Sequence, residues 1–241
     1  MNLNNSPGQH DLSGPFSVLK PFKVPVLFNV DMTGLGDTLN DLAGSLYLKT
    51  TNVHLKEMLS AGLLQAHAIK NGVVSGQLWL DWQHLKIQRI QSQLILNKLQ
   101  LQNNQQRFVV PKFSANIAWL KQSKGWLFLA DKILVNINHH QWPEDSLYLE
   151  DSPNHLNLGM KYLSLDDVKH LLVHSTMLGT KQLKLMKQIN PKGALRNIVF
   201  QHKGNTWSPT TLNFSADLHK LSVAQYLNIP AFQGVNGQVY W

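Results

Sequence analysis

Hydrophobic and polar residues alternate with a period of two along much of the chain. The clearest runs are Leu78, Leu80 and Trp82; Phe113, Ala115, Ile117 and Trp119; Ile133, Val135 and Ile137; and Leu212, Phe214, Ala216 and Leu218, mostly with polar or small residues between. Such alternation sends successive side chains to opposite faces of a pleated strand, so each run predicts a half-buried β-strand. Turn-forming residues punctuate the runs at Asn71-Gly72, Lys124-Gly125, Pro143, Pro153 and Lys203-Gly204-Asn205, which predicts an antiparallel meander. One region has a clear helical pattern. Ser164 is placed as an N-cap, Asp166 and Asp167 fall in the first turn, and Leu165, Val168, Leu171, Leu172 and Ser175 share a face. A second short helix is predicted from about Thr180 to Gln188, stopped by Pro191 and Gly193, with one more turn over Val223 to Leu227 before Pro230.

A five-residue pattern (apolar, small or polar, Gly, any residue, apolar) recurs four times. It appears as Leu12-Ser13-Gly14-Pro15-Phe16, Leu42-Ala43-Gly44-Ser45-Leu46, Val74-Ser75-Gly76-Gln77-Leu78 and Val235-Asn236-Gly237-Gln238-Val239. In the last three the glycine opens an alternating strand. Gly44, Gly76 and Gly237 are therefore expected at strand starts or bulges where a β-carbon is poorly tolerated and the sheet bends into a trough; the competing account is chance glycines in turns. The alternation is still running at Trp241. The chain is therefore expected to be one segment of a longer repetitive protein whose remaining segments pair with its sheet edges.

Composition changes this picture in two ways. The chain has 241 residues, 43% of them hydrophobic and only 15% charged, well under the roughly 25% charged residues of ordinary soluble domains. Asn and Gln supply the polar faces instead, as in Gln102-Asn103-Asn104-Gln105-Gln106. The net charge is +8, yet the only arginines are Arg89, Arg107 and Arg196, and without more guanidinium forks a nucleic-acid partner is not expected. The basic stretch Lys181, Lys184, Lys187, Lys192 and Arg196 is read first as a solvated helix face, with attraction to anionic lipid headgroups as the alternative. No cysteine is present, which excludes disulfides, thiolate metal sites and a thiol nucleophile.

The residues that enzyme chemistry requires are sparse. No nucleophile elbow, phosphate loop or His-Glu-x-x-His motif occurs. Gly34-Leu35-Gly36-Asp37-Thr38-Leu39 imitates a dinucleotide loop without its third glycine, and His170 with His174 or His139 with His140 lack an obvious third metal ligand. Asp166-Asp167 is more simply a helix cap than a catalytic pair. No enzyme activity, cofactor or metal is expected. The aromatics carry more information: Trp82 is in phase with Leu78 and Leu80, whereas Trp79 and Tyr47 fall on the opposite faces of their strands. Apolar side chains on both faces require a second layer or a lipid on one of them.

Two stretches resemble the central region of YhdP-like proteins, members of the AsmA-like superfamily of Gram-negative envelopes. One is Leu42 to Gln102, with its glycine-initiated strands and Trp79-Leu80-Asp81-Trp82. The other is Leu156 to Trp241, where Leu163-Ser164-Leu165-Asp166-Asp167-Val168 leads into helices and Ile189-Asn190-Pro191-Lys192-Gly193-Ala194-Leu195-Arg196-Asn197-Ile198 follows. A Trp207 strand, a Phe214-Ser215-Ala216 strand and Pro230 before Gly234-Val235-Asn236-Gly237 complete the likeness. The resemblance implies a mainly β fold: an elongated, curved antiparallel sheet forming an apolar groove, with a few short helices around 164–188. Residues 1–20 are expected as a poorly defined N-terminal stretch, 21–163 as β meander, 164–190 as a helical insert and 191–241 as continuing strands.

The resemblance further implies a segment of a bridge-like protein, anchored in the inner membrane through a part absent from this chain. Such a protein spans the periplasm and moves phospholipid between the inner and outer membranes. The alternative is a periplasmic scaffold that assists outer-membrane assembly without carrying lipid. The partners implied are phospholipid acyl chains and the remaining segments of the parent protein, with membrane contact through parts absent from this chain. Leu78, Leu80 and Trp82, continued by Leu94 and Leu96 on a neighbouring strand, are the expected groove-lining residues.

Overall fold

The computed structural model describes residues 2–6, 8–17, 25–34, 42–103, 106–137, 140–175, 178–204, 208–227 and 230–241. Within them the chain folds as one open antiparallel sheet. Its strands are β1 (Asn2–Ser6), β2 (Gln9–Ser17), β3 (Pro25–Thr33), β4 (Ala43–His54), β5 (Ile69–Gln83), β6 (Lys86–Asn103) and β7 (Gln106–Gln122). The order continues with β8 (Gly125–Ile137), β9 (His140–Gln141), β10 (Asp145–Ser152), β11 (His155–Ser164), β12 (Lys192–Lys203), β13 (Leu212–Val223) and β14 (Phe232–Tyr240). Each strand pairs with its neighbour in sequence, except that the two-residue β9 is a side branch on β8 and β10 pairs with β8 directly. A pure meander needs no crossover, so local turn chemistry suffices to order the strands.

A meander places alternate connections on opposite lips of the sheet. On one lip the connections are short, as at His84-Leu85, Ser123-Lys124 and Pro153-Asn154. The other lip carries every α-helix among the described residues: α1 (Leu55–Met58), α2 (Ala61–Ala66), α3 (Leu165–His174) and α4 (Thr180–Ile189). The fully buried apolar residues gather beside them. Leu101, Phe108, Val110, Ile133, Val135, Ile137 and Trp142 form one cluster, onto which Val168 and Leu171 of α3 pack. The ten residues of α3, about 15 Å of helix, touch both β12 and β6. Those strands would lie about 24 Å apart across a flat sheet, so curvature brings them within reach.

The sheet bends at residues the sequence did not single out. Asn52, Lys132, Asn197 and Lys220 adopt left-handed backbone angles within strands. Each coincides with a register shift, between β4 and β5, β7 and β8, β12 and β13, and β13 and β14 respectively. An extra residue at such a bulge kinks the strand and tightens its twist.

Polar ties fix α3 to the sheet. The Ser164 hydroxyl accepts the Asp167 amide at 3.3 Å, as an N-cap does. The Asp167 carboxylate is itself buried and accepts the Trp142 indole N–H at 2.8 Å. Asp166 accepts the Gly193 amide at 2.9 Å, joining the helix start to the first residues of β12. The two aspartates therefore do more than cap.

Several expectations change. Helices also occur at 55–66, outside the predicted 164–188 region, and no helix forms over Val223 to Leu227. Leu55-Lys56-Glu57-Met58 is too short to show a periodicity, and contact with β4 and β5 rather than propensity holds it. Asn71-Gly72 is not a turn but part of β5. Gly72 is buried, and a β-carbon there would lie 2.6 Å from Leu55 of α1, so the glycine admits the helix. β1 and β2 lie within the first twenty residues.

Asp145, on which the sequence reading placed no weight, is almost fully buried at the β8–β10 bulge. Its Oδ1 accepts the amides of Ser146, Lys161 and Tyr162 at 2.7, 3.0 and 3.2 Å. Among the described residues its Oδ2 meets no donor. Burial raises the carboxyl's pKa above the ordinary aspartate value, more than the three amides lower it. A carboxyl with a raised folded-state pKa favours folding below its unfolded value, and this contribution is lost as pH rises through the window above that value. The melting temperature of Asp145→Asn relative to the parent should therefore drift in the variant's favour between pH 4 and pH 8. A difference that stays constant with pH would contradict the burial account.

Candidate functional site

Cross-strand register assigns residues to faces. In an antiparallel pair, directly opposed residues share a face, so the pairs can be followed from strand to strand. Val30 of β3 opposes Leu46, Leu46 opposes Leu80, and Leu80 opposes Ile90. Ile90 opposes Trp119, Trp119 opposes Phe128, and Phe128 opposes Leu149. Leu149 opposes Leu158, Leu158 opposes Phe200, and Phe200 opposes Phe214. Leu12 of β2 extends the row beyond Val30. The row crosses every strand from β2 to β13 on the main path without a polar residue. At about 4.8 Å per strand it is roughly 50 Å long.

The five candidate groove residues fall on this face. Leu78 opposes Ser92 and Leu80 opposes Ile90, while Leu94 and Leu96 of β6 oppose Gly76 and Val74 of β5. Trp82 opposes Gly44 on one side and Ile87 on the other, across a local register shift. The five do not share one environment. Leu96 lies near Gly72 and Leu55, beside the helix-bearing lip. Leu78, Leu80 and Trp82 lie toward the hairpin lip, half-buried with no helix over them.

The opposite face differs in chemistry. Its central row contains Tyr47, Trp79, Gln91, Ala118, Leu129 and Tyr148, joined by the same register. Trp79 is 37% exposed, and its ring lies 5.4 Å from that of Tyr47. Amides and paired charges surround these rings. Arg89 meets Asp81 at 2.7 Å, Asn116 donates to Asp131 at 2.7 Å, and Tyr148 donates to Glu150 at 2.6 Å. The Tyr148 and Asn157 hydrogen bonds hold the Glu150 carboxyl below its usual range. This face mixes rings, amides and charges, whereas the row from Leu12 to Phe214 is apolar along its whole length.

The repeat glycines have a specific relation to the apolar face. Gly14, Gly44, Gly76 and Gly237 stand directly opposite Phe28, Trp82, Leu94 and Leu218, so each faces a large apolar neighbour. At Gly44 a β-carbon would lie 2.5 Å from the Trp82 ring and run into the Asp31 carbonyl oxygen. At Gly76 it would meet the Gln93 carbonyl at 2.6 Å. Gly76 lies in the middle of β5 rather than at a strand start. Gly237 has open space around it.

The remaining candidates gather no reactive site. His170 and His174 stack with ring centroids 6.3 Å apart, His174 also packs on Phe108 at 5.6 Å, and its Nδ1 lies 2.6 Å from the His170 carbonyl. His140 lies 3.7 Å from Asp167, while His139, Trp207 and most of the loop at 34–39 fall outside the described residues. Among the described residues no three His, Asp or Glu side chains converge to hold a metal ion, and no helix is long and apolar enough to cross a membrane.

The family model described as "YhdP protein" matches residues 1–241, the whole chain. No curated protein and no solved structure matches it.

Proposed function

The chain belongs to the YhdP family, and from that premise we propose that it is a segment of a bridge-like envelope protein that carries phospholipid along the apolar face of its sheet. In the fuller form of this reading the segment lies in the periplasm, belongs to an inner-membrane-anchored protein and moves phospholipid between the inner and outer membranes. The observation that carries the proposal is the unbroken apolar row from Leu12 to Phe214, running across the strands. A path for acyl chains must exclude water continuously, at about 25 cal/mol per Å² of apolar surface covered, and it needs no reacting group. A row interrupted by one charged residue would present a desolvation barrier to every passing lipid.

Photo-crosslinking side chains placed at Leu80 and at Trp79 in the intact protein separate the two faces. Phospholipid captured in cells at Leu80 and not at Trp79 is the expected result. Capture at Trp79 alone would transfer the path to the opposite face. Capture at neither would favour a scaffold that assists outer-membrane assembly without carrying lipid.

A further inference from the structure

The two lips of the apolar face are chemically different, and this difference bears on how a lipid would lie there. Along one lip, α1 to α4 and the buried cluster around Val135, Ile137 and Trp142 close the space above the strand ends. Along the other, the hairpins at His84-Leu85, Ser123-Lys124 and Pro153-Asn154 end the sheet directly in solvent. Two tryptophans of the apolar face stand close to that open lip. Trp82 lies next to the first hairpin, and Trp126 opposes Lys121 on one side and Asp151 on the other. Tryptophan favours a boundary where an apolar body meets a wet rim.

Beyond the tryptophans come exposed cations. Lys121, opposite Trp126 on the apolar face, and Lys124, in the turn beyond it, form no ion pair among the described residues, whereas Lys86 opposes Gln83 and Lys203 opposes His155 in the register of the opposite face. The acids nearby differ: Asp81 is held by Arg89, and Glu150 by Tyr148 and Asn157, both on the opposite face. Asp151 remains on the apolar face opposite Trp126. Successive hairpins are about 10 Å apart, two strand spacings.

We infer that lipids lie along the strands in one orientation, with phosphate-bearing headgroups at the hairpin lip beside Lys121 and Lys124 and acyl ends directed at the helix-bearing lip. This rests on the transport reading above. It adds the side on which the headgroup travels and the chemistry that receives it: mobile ammonium groups outside a tryptophan rim. Point-charge contacts of this kind suit a passing anionic headgroup, because each is weak and none demands a fixed geometry.

Two phospholipid probes test it, one with a diazirine in the headgroup and one with a diazirine at the acyl terminus. Each is presented to the intact protein in vesicles of equal parts phosphatidylethanolamine and phosphatidylglycerol. The headgroup probe should label residues 82–87 and 121–126, and the acyl probe should label 94–101, 133–137 or α3. Equal labelling of both lips by both probes, or the reverse pattern, overturns the orientation while leaving transport intact. No labelling of the apolar face by either probe removes the transport reading and this inference with it. In a second arm, Glu replaces Lys121 and Lys124. The ratio of bound phosphatidylglycerol to phosphatidylethanolamine should fall at least fivefold, with headgroup labelling at the hairpins reduced in parallel. An unchanged ratio in a variant of unchanged melting temperature overturns the role of the lysines.

Discussion

Leu80→Asp should lower phospholipid capture in the apolar groove at least about tenfold while the protein still folds. The expectation depends on where Leu80 sits. It lies between Leu46 and Ile90 in the middle of the apolar row, half-buried by its neighbours, with no helix over it. In the empty groove water can reach an aspartate at this position, so the carboxylate remains hydrated. An acyl chain passing over it must strip that water, and each 1.4 kcal/mol of the resulting penalty is a factor of ten in occupancy. Leu96→Asp should instead lose stability, because Leu96 lies close to Gly72 and Leu55 under the helix-bearing lip. Gln77→Lys, on the opposite face, should leave lipid content unchanged and lower stability only slightly, through the lost Tyr47 hydrogen bond and the facing Lys49. Lipid co-purified with each variant, measured by native mass spectrometry beside its melting temperature, separates these outcomes. Normal lipid content in a folded Leu80→Asp protein would show that lipid does not use this face.

Gly44→Val should cost about 3 kcal/mol, the upper end of the range for overpacking a filled site. That corresponds to about 6–12 °C in melting temperature for a chain of this size. The physical cause is close approach, since the Trp82 ring and the Asp31 carbonyl occupy the space a side chain needs. Gly76→Val should cost about 1–3 kcal/mol through the Gln93 carbonyl. Gly237→Val meets no atom within 4 Å of its would-be β-carbon, so its cost should come from the backbone alone, which holds a φ of +156° that residues with side chains rarely adopt. Gly44→Val should also displace the Trp82 indole from the groove rim, seen as a red shift in tryptophan emission that Gly76→Val does not share. Equal melting temperatures for all three variants would mean that the repeat has no packing role.

The strands were legible because a half-buried sheet writes its two faces into alternate residues. Leu78, Leu80 and Trp82 had to share a face whatever strand lay beside them. That β6 pairs with β5, and so brings Leu94 and Leu96 onto the same face, could be expected from a meander's sequential pairing but not its register. The Ser164 cap and the helix after it were legible because capping is local. The helices at 55–66 were not, since short segments carry little periodicity and contact with β5 holds them. Asp145 and the Asp167–Trp142 contact were also hidden, because each joins residues 16 to 25 positions apart.

What the sequence by itself determined is a β-meander of half-buried strands, since period-two alternation and turn residues act between near neighbours and need no distant contact. Only the tertiary structure decided the curvature and the inequality of the two lips. The bulges at Asn52, Lys132, Asn197 and Lys220 arise where neighbouring strands fall out of register. The gathering of all four helices on one lip depends on which strand ends the curled sheet brings together. Both are properties of strand pairs and packed layers, and no single stretch of sequence contains them.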